Sequence, residues 1–168
     1  VFLVVLACAA AFIWHTSHDL PERVASHFDA SGQANGYMPR AMYARFMLGV
    51  TVVVPLLLAI LPAAAVSSPR TRLNVPNREY WQDPKHRPEV VAILRRHMTQ
   101  GGCLMAAFLA YVHWLVVRAN ALTPPSLDNT WFIGGLVVFV VALVGSGLAM
   151  VGRFRDVPRQ AGMARKYH

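Results

Sequence analysis

Carboxylates are scarce in this chain. Eight Asp and Glu stand against sixteen Lys and Arg in 168 residues, a formal charge of +8. All eight (Asp19, Glu22, Asp29, Glu79, Asp83, Glu89, Asp128 and Asp156) lie in loops or at the ends of apolar runs. Proton- or sodium-coupled transporters place carboxylates inside the membrane, so this placement argues against one. Cysteine is limited to Cys8 and Cys103, both within apolar runs, which disfavours a disulfide framework or a zinc site. A Gly-rich phosphate loop, a nucleophile elbow and a paired-carboxylate arrangement are all missing. No catalytic residue can be nominated, and a non-enzyme is expected. Charge itself is sparse: 14% of residues, against about 25% in a typical soluble domain.

Hydrophobic residues fill the space, at 55% of the chain and a mean hydropathy of +0.39. They are gathered in runs. Phe46 to Val66, Met98 to Val117 and Trp131 to Val151 approach or exceed the roughly 20 residues that cross a bilayer. Val1 to Trp14 is shorter and begins without Met, so it reads as the surviving end of a longer span. A signal-peptide core is the rival reading, but no Ala-x-Ala cleavage site precedes the following polar segment at a useful distance. The expected fold is an all-α integral membrane protein, one domain over 1–168 with four spans at about 1–15, 43–66, 98–118 and 131–152. A cap over 15–41 joins the first two spans, a loop over 67–97 joins the next two, and a tail covers 153–168.

Charge placement orients the spans. Twelve of the sixteen basic residues lie in the middle loop (Arg70, Arg72, Arg78, Lys85, Arg87, Arg95, Arg96) or the tail (Arg153, Arg155, Arg159, Arg165, Lys166). The positive-inside rule then makes loop and tail cytoplasmic and the cap extracytoplasmic, with both termini inside a bacterial inner membrane. The basic excess reads as topology and anionic-headgroup contact rather than nucleic-acid binding. The stretch from Lys85 to His97 could also meet a cytoplasmic regulator.

The cap is dense in residues with specific backbone demands. Pro21 fixes φ, Gly32 and Gly36 permit positive φ, and Asn35-Gly36 predicts a tight turn with Ala34 opposite Tyr37. In the second span Pro55 predicts a kink, with Thr51 or a neighbouring helix satisfying the freed carbonyl. In the middle loop, Tyr80 and Trp81 suit the headgroup layer. Pro84 and Pro88 then introduce a cytoplasmic interfacial helix to His97, with Gly101-Gly102 as the bend into span three. Ala142, Gly145, Ser146 and Ala149 form a span-four packing face for another helix, within this chain or from a partner.

Histidines are the remaining candidates. His113 is ionisable and well inside a span, and His15 lies near the same depth, so the two could ligate haem or copper. A neutral His113 bonded to a neighbouring helix is the expected reading, with no cofactor. His15, His18 and His27 with Asp19, Glu22 and Asp29 have ligand types that suit zinc or copper, but no tight paired-ligand spacing. The expectation is that His27 bonds the cap backbone while Phe28 plugs the bundle.

Two motifs in order, Leu20-Pro21…His27-Phe28…Gly32…Asn35-Gly36-Tyr37 and Asn74-Val75-Pro76-Asn77…Tyr80-Trp81, resemble a bacterial membrane domain of unknown function. It is the domain found at the N-terminus of SdpI-type immunity proteins. The resemblance runs from about His18 to about His97. It implies kinship with proteins of which some resemble immunity proteins against membrane-acting peptide toxins and some hold a transcriptional repressor at the membrane. This chain reads as a stand-alone form, ending soon after span four without the further membrane region of the immunity proteins. The expected function is a non-catalytic accessory subunit of a larger membrane complex. The alternatives are a sensor or immunity-type receptor for an extracellular peptide, and a haem or copper protein.

Overall fold

A computed structural model describes residues 1–67 and 74–156. The loop arginines Arg70 and Arg72 and the tail residues Arg159, Arg165 and Lys166 lie outside the described residues. The elements in order are α1 (Phe2–Thr16), β1 (Arg23–Phe28), β2 (Ala34–Pro39), α2 (Arg40–Ser67), the single turn α3 (Arg78–Trp81), α4 (Arg87–Asn120) and α5 (Asn129–Arg155). Among the described residues, four helices are long and apolar enough to cross a membrane. The chain is a multi-pass, essentially all-helical membrane protein with one small hairpin.

Helix ends follow local chemistry. Asp128 accepts from Thr130 N at 2.9 Å and Trp131 N at 3.3 Å, capping two of the amides that α5 leaves unpaired. Asp83 caps a short 3-10 turn at Pro84–His86 by accepting from Lys85 N at 3.0 Å, and α4 begins directly after it. The segment expected to be a separate interfacial helix is the first part of α4, which runs unbroken through Gly101-Gly102. Two mid-helix glycines cost about 1 kcal/mol each, but backbone groups at membrane depth must stay bonded, so the helix does not open there. Gly102 is needed for packing. A Cβ on it would stand 2.8 Å from the Phe2 ring and 3.1 Å from the Pro55 carbonyl oxygen. Pro55 itself sits inside α2, and Thr51 Oγ1 is buried with no partner among the described residues, so it does not take the role expected of it.

α1, α2 and α4 pack on one another, and α5 lies along α4 with no comparable contact to α1 or α2. The hairpin closes the end of the three-helix unit. Leu20 and Val24 from the cap join Ile13, Tyr43, Met47 and Val116 in one buried cluster, with Phe28 and Met38 packed against it. The 34 residues of α4 span about 51 Å at 1.5 Å per residue, well beyond a hydrocarbon core of about 30 Å. Its excess projects on the side away from the cap, where Trp81, Val90 and Phe154 form a second buried cluster.

Candidate functional site

The hairpin turns at Asp29–Gln33 and not at Asn35-Gly36. Asp29 Oδ1 accepts from Ser31 N at 2.8 Å, Ser31 Oγ at 2.6 Å and Gln33 N at 3.0 Å. Those bonds, the Ser31 hydroxyl foremost, hold the Asp29 carboxyl below the usual carboxylate range. Gly32 supplies the positive φ of +84° that closes the loop. An Asx-type turn with three donors outcompetes the Asn-Gly preference. Asn35 and Gly36 instead lie in β2, at an irregularity in the register: Gly36 faces His27, Tyr37 faces Ala25 and Ala34 faces Phe28. Gly36 is small because a Cβ there would come within 2.9 Å of His27 Cβ.

Side chains from distant segments fasten this hairpin to the helices. At the last residue of α4, Asn120 Oδ1 accepts from Ala25 N at 2.8 Å, and its Nδ2 donates to Ala25 O and Val116 O, both at 2.9 Å. The amide thus pairs with the outer edge of β1 as a neighbouring strand would. Arg40 Nη1 donates to the carbonyls of His18 and Leu20, both at 3.0 Å. At the tip, Leu127 N donates to Gly32 O at 2.8 Å and Asn129 Nδ2 to Ala30 O at 2.8 Å. The cap is therefore fixed both to the three-helix unit and to the α4–α5 connection.

Beneath it, one histidine ties three helices. His113 is fully buried, with Nε2 2.8 Å from Thr16 Oγ1 and Nδ1 3.0 Å from Tyr43 Oη. Thr16 spends its only hydroxyl proton on Phe12 O at 2.8 Å, so His113 Nε2 must donate to it. A neutral ring then accepts at Nδ1 from Tyr43, and every proton in the chain is used. Both ring nitrogens are committed, and His113 serves as a strut. His15, its expected metal partner, is exposed and its ring makes no hydrogen bond among the described residues; the adjacent Thr16 makes the contact instead. Among the described residues no three metal-ligating side chains converge. His27 is exposed and bonds the side chain of Asn35 rather than the cap backbone.

Tyr37 also points outward, as β2 alternates half-buried Ala34, Gly36 and Met38 with exposed Asn35, Tyr37 and Pro39. The outer edge of β2 is covered at its start, where Gln33 bridges antiparallel to Ser126; among the described residues no backbone group from Asn35 to Pro39 bonds to anything but β1. From Asn35 on, that edge of the hairpin is open.

The second motif has a structural job at the opposite end. Trp81 Nε1 donates to Phe154 O at 2.9 Å, and Asn77 Nδ2 donates to Phe154 O at 3.2 Å and Arg155 O at 3.1 Å. These donors satisfy carbonyls that the end of α5 would otherwise leave orphaned. Trp81 is buried against Phe154, and Tyr80 stacks on His86 at 3.9 Å between centroids. Asn77 takes a left-handed conformation, φ 53°, which asparagine tolerates. Asn74 is exposed and Pro76 half-buried at the start of this turn.

Of the expected span-four packing residues, Ala142, Ser146 and Ala149 line a groove against α4, and Ser146 Oγ lies 3.1 Å from His97 Nδ1. Gly145 faces open space. The close α4–α5 contact is made elsewhere, where the Tyr111 ring occupies the position a Gly135 side chain would need and its hydroxyl donates to Trp131 O at 2.6 Å. Asn120, Arg40 and Gly135 escaped the sequence reading. The lone amide closing an apolar run was the available signal for Asn120.

Residues 3–53 match a family described as Domain of unknown function (DUF1648). The match covers α1, the hairpin and the first half of α2, and stops before the Asn74–Trp81 motif. No curated protein and no solved structure matches the chain.

Proposed function

We propose that this protein is a non-catalytic accessory subunit of a larger complex in the bacterial inner membrane, docked through α5 and the cap. The observation that carries the reading is the free flank of α5. Gly134, Val138, Val141, Gly145, Leu148 and Gly152 recur at alternating spacings of four and three residues, the 3.5-residue period of a helix-packing seam. Gly134, Gly145 and Gly152 meet open space, and Val138, Val141 and Leu148 are each more than 60% exposed, at 69%, 64% and 68%. Small residues set among branched ones let a second helix approach closely. Clustering of basic residues away from the cap supports the cap outside and both termini in the cytoplasm.

The test is co-purification from native membranes with Gly145→Leu/Gly152→Leu. Both glycines have room, so the fold should persist while larger subunits are lost. Unchanged association would remove α5 from the reading.

A second reading has its own observation. The open β2 edge offers the main-chain groups by which an extended peptide adds to a sheet, with Asn35 and Tyr37 beside it. Together with the resemblance to SdpI-type proteins, this supports a receptor for an extracellular peptide. Survival of peptide-sensitive cells is the readout. Equal survival with the wild-type chain and with Asn35→Ala/Tyr37→Ala would sink it.

A further inference from the structure

Apart from Gly134 and Val138, which line its cap-side part, neither reading uses the groove between α4 and α5. It has two adjoining parts, of about 630 and 660 Å3, which share Leu104 and Ala142 in their walls. Its ends differ in chemistry. At the end away from the cap stand Arg96, His97, Gln100 and Arg153; toward the cap the walls are apolar and aromatic, with Phe108 and Phe139 stacked 4.4 Å apart. Neither Arg96 nor Arg153 makes an ion pair among the described residues, and all eight Asp and Glu side chains belong to those residues. His97 uses Nδ1 on Ser146, and its Nε2 has no protein partner there.

We infer that this groove binds one anionic phospholipid, with the phosphate between Arg96 and Arg153 and an acyl chain laid over Leu104, Ala142 and Phe108. Two uncompensated guanidiniums at the membrane boundary suit a phosphate, which arginine can grip with paired donors. From Arg96 to Tyr111 the trough runs about 22 Å at the helical rise, longer than the roughly 15 Å half-thickness of the hydrocarbon. A full chain from the arginine-side leaflet therefore fits. A partner helix would seal the trough yet leave both arginines unpaired, and a free phosphate would leave the trough empty.

The experiment is native mass spectrometry of the full chain, released from vesicles holding equal phosphatidylglycerol and phosphatidylcholine with identical acyl chains. One phosphatidylglycerol should remain per chain, preferred over phosphatidylcholine. Arg96→Gln/Arg153→Gln should cut that preference about 30-fold, roughly five-fold per arginine. Arg23→Gln/Arg45→Gln, which removes the same charge on the cap side, should leave it unchanged. Glycerol 3-phosphate added alone should not be retained, which separates a lipid from a free phosphate. Equal retention of the two lipids, or wild-type preference in Arg96→Gln/Arg153→Gln, overturns the assignment. Should that variant fail to fold, Ala142→Leu decides: the filled trough should release phosphatidylglycerol, and undiminished retention overturns the assignment.

Discussion

Replacing Asn120 with Ala should loosen β1 from the bundle while leaving the helices in place. Ala25, its partner, is fully buried, and the substitution strips both its N–H and its C=O of the bonds that Asn120 makes at 2.8 and 2.9 Å. Leaving a buried polar group unsatisfied costs about 1–3 kcal/mol. Two such groups make about 2–6 kcal/mol. Water reaching the freed strand brings the expected figure toward the lower half, about 3 kcal/mol. At 1.4 kcal/mol per decade, the Ala25 amide should exchange with deuterium about 100-fold faster. The assay is hydrogen exchange in detergent, comparing a peptide spanning 20–28 with one from the middle of α4. Asn120→Asp keeps an acceptor for Ala25 N but turns a carboxylate oxygen toward the Ala25 and Val116 carbonyls, so its exchange should be at least as fast as that of Asn120→Ala. Equal protection of residues 20–28 in the wild type and Asn120→Ala would refute the claim that this amide holds the strand.

Gly32→Ala should lower the melting temperature and loosen the hairpin tip, since φ is +84° and the new methyl would collide with Leu127 O; the strain costs about 1–2 kcal/mol. Tyr43→Phe leaves His113 Nδ1 buried without a donor, an expected loss of about 1–3 kcal/mol in thermal unfolding. Adding His113→Leu should cost less than the sum of the two single changes, as in any shared network. The lowered pKa of Asp29 makes its contribution full above the ordinary value of 3.8, and that contribution is lost as pH falls through the folded value. The amide resonances of Ser31 and Gln33 should therefore hold steady from neutral pH to about pH 4 and shift only below it; a shift near pH 6 would show that some other group governs the turn.

The membrane fold was legible because a bilayer demands long apolar runs and leaves few alternatives. A structured cap was legible as well, in Pro21, Gly32 and Gly36. What escaped was set by contacts remote in sequence. Asn35-Gly36 has a strong turn preference, yet Asp29 offers a better-bonded turn upstream and His27 needs Gly36 beside it. Asn120 reaches a strand 95 residues away, and nothing in its neighbours records that. That Trp81 serves the carbonyl of Phe154, 73 residues on, is likewise recorded nowhere in its neighbours. Gly101-Gly102 resembled a bend because local propensity cannot register Phe2 and Pro55 closing on Gly102. His113 was recognised as unusual from its depth, and its tautomer follows only from the proton that Thr16 gives to Phe12.

The accessory role rests on what α5 and the cap touch in the native membrane. Mild-detergent extraction from those membranes, followed by intact-mass analysis of everything that stays bound, tests it directly. Larger membrane subunits in fixed stoichiometry with the 18.5 kDa chain are the result expected. A lone chain, with at most lipid attached, would contradict the accessory role and leave the open edge of β2 as the place to look for a ligand.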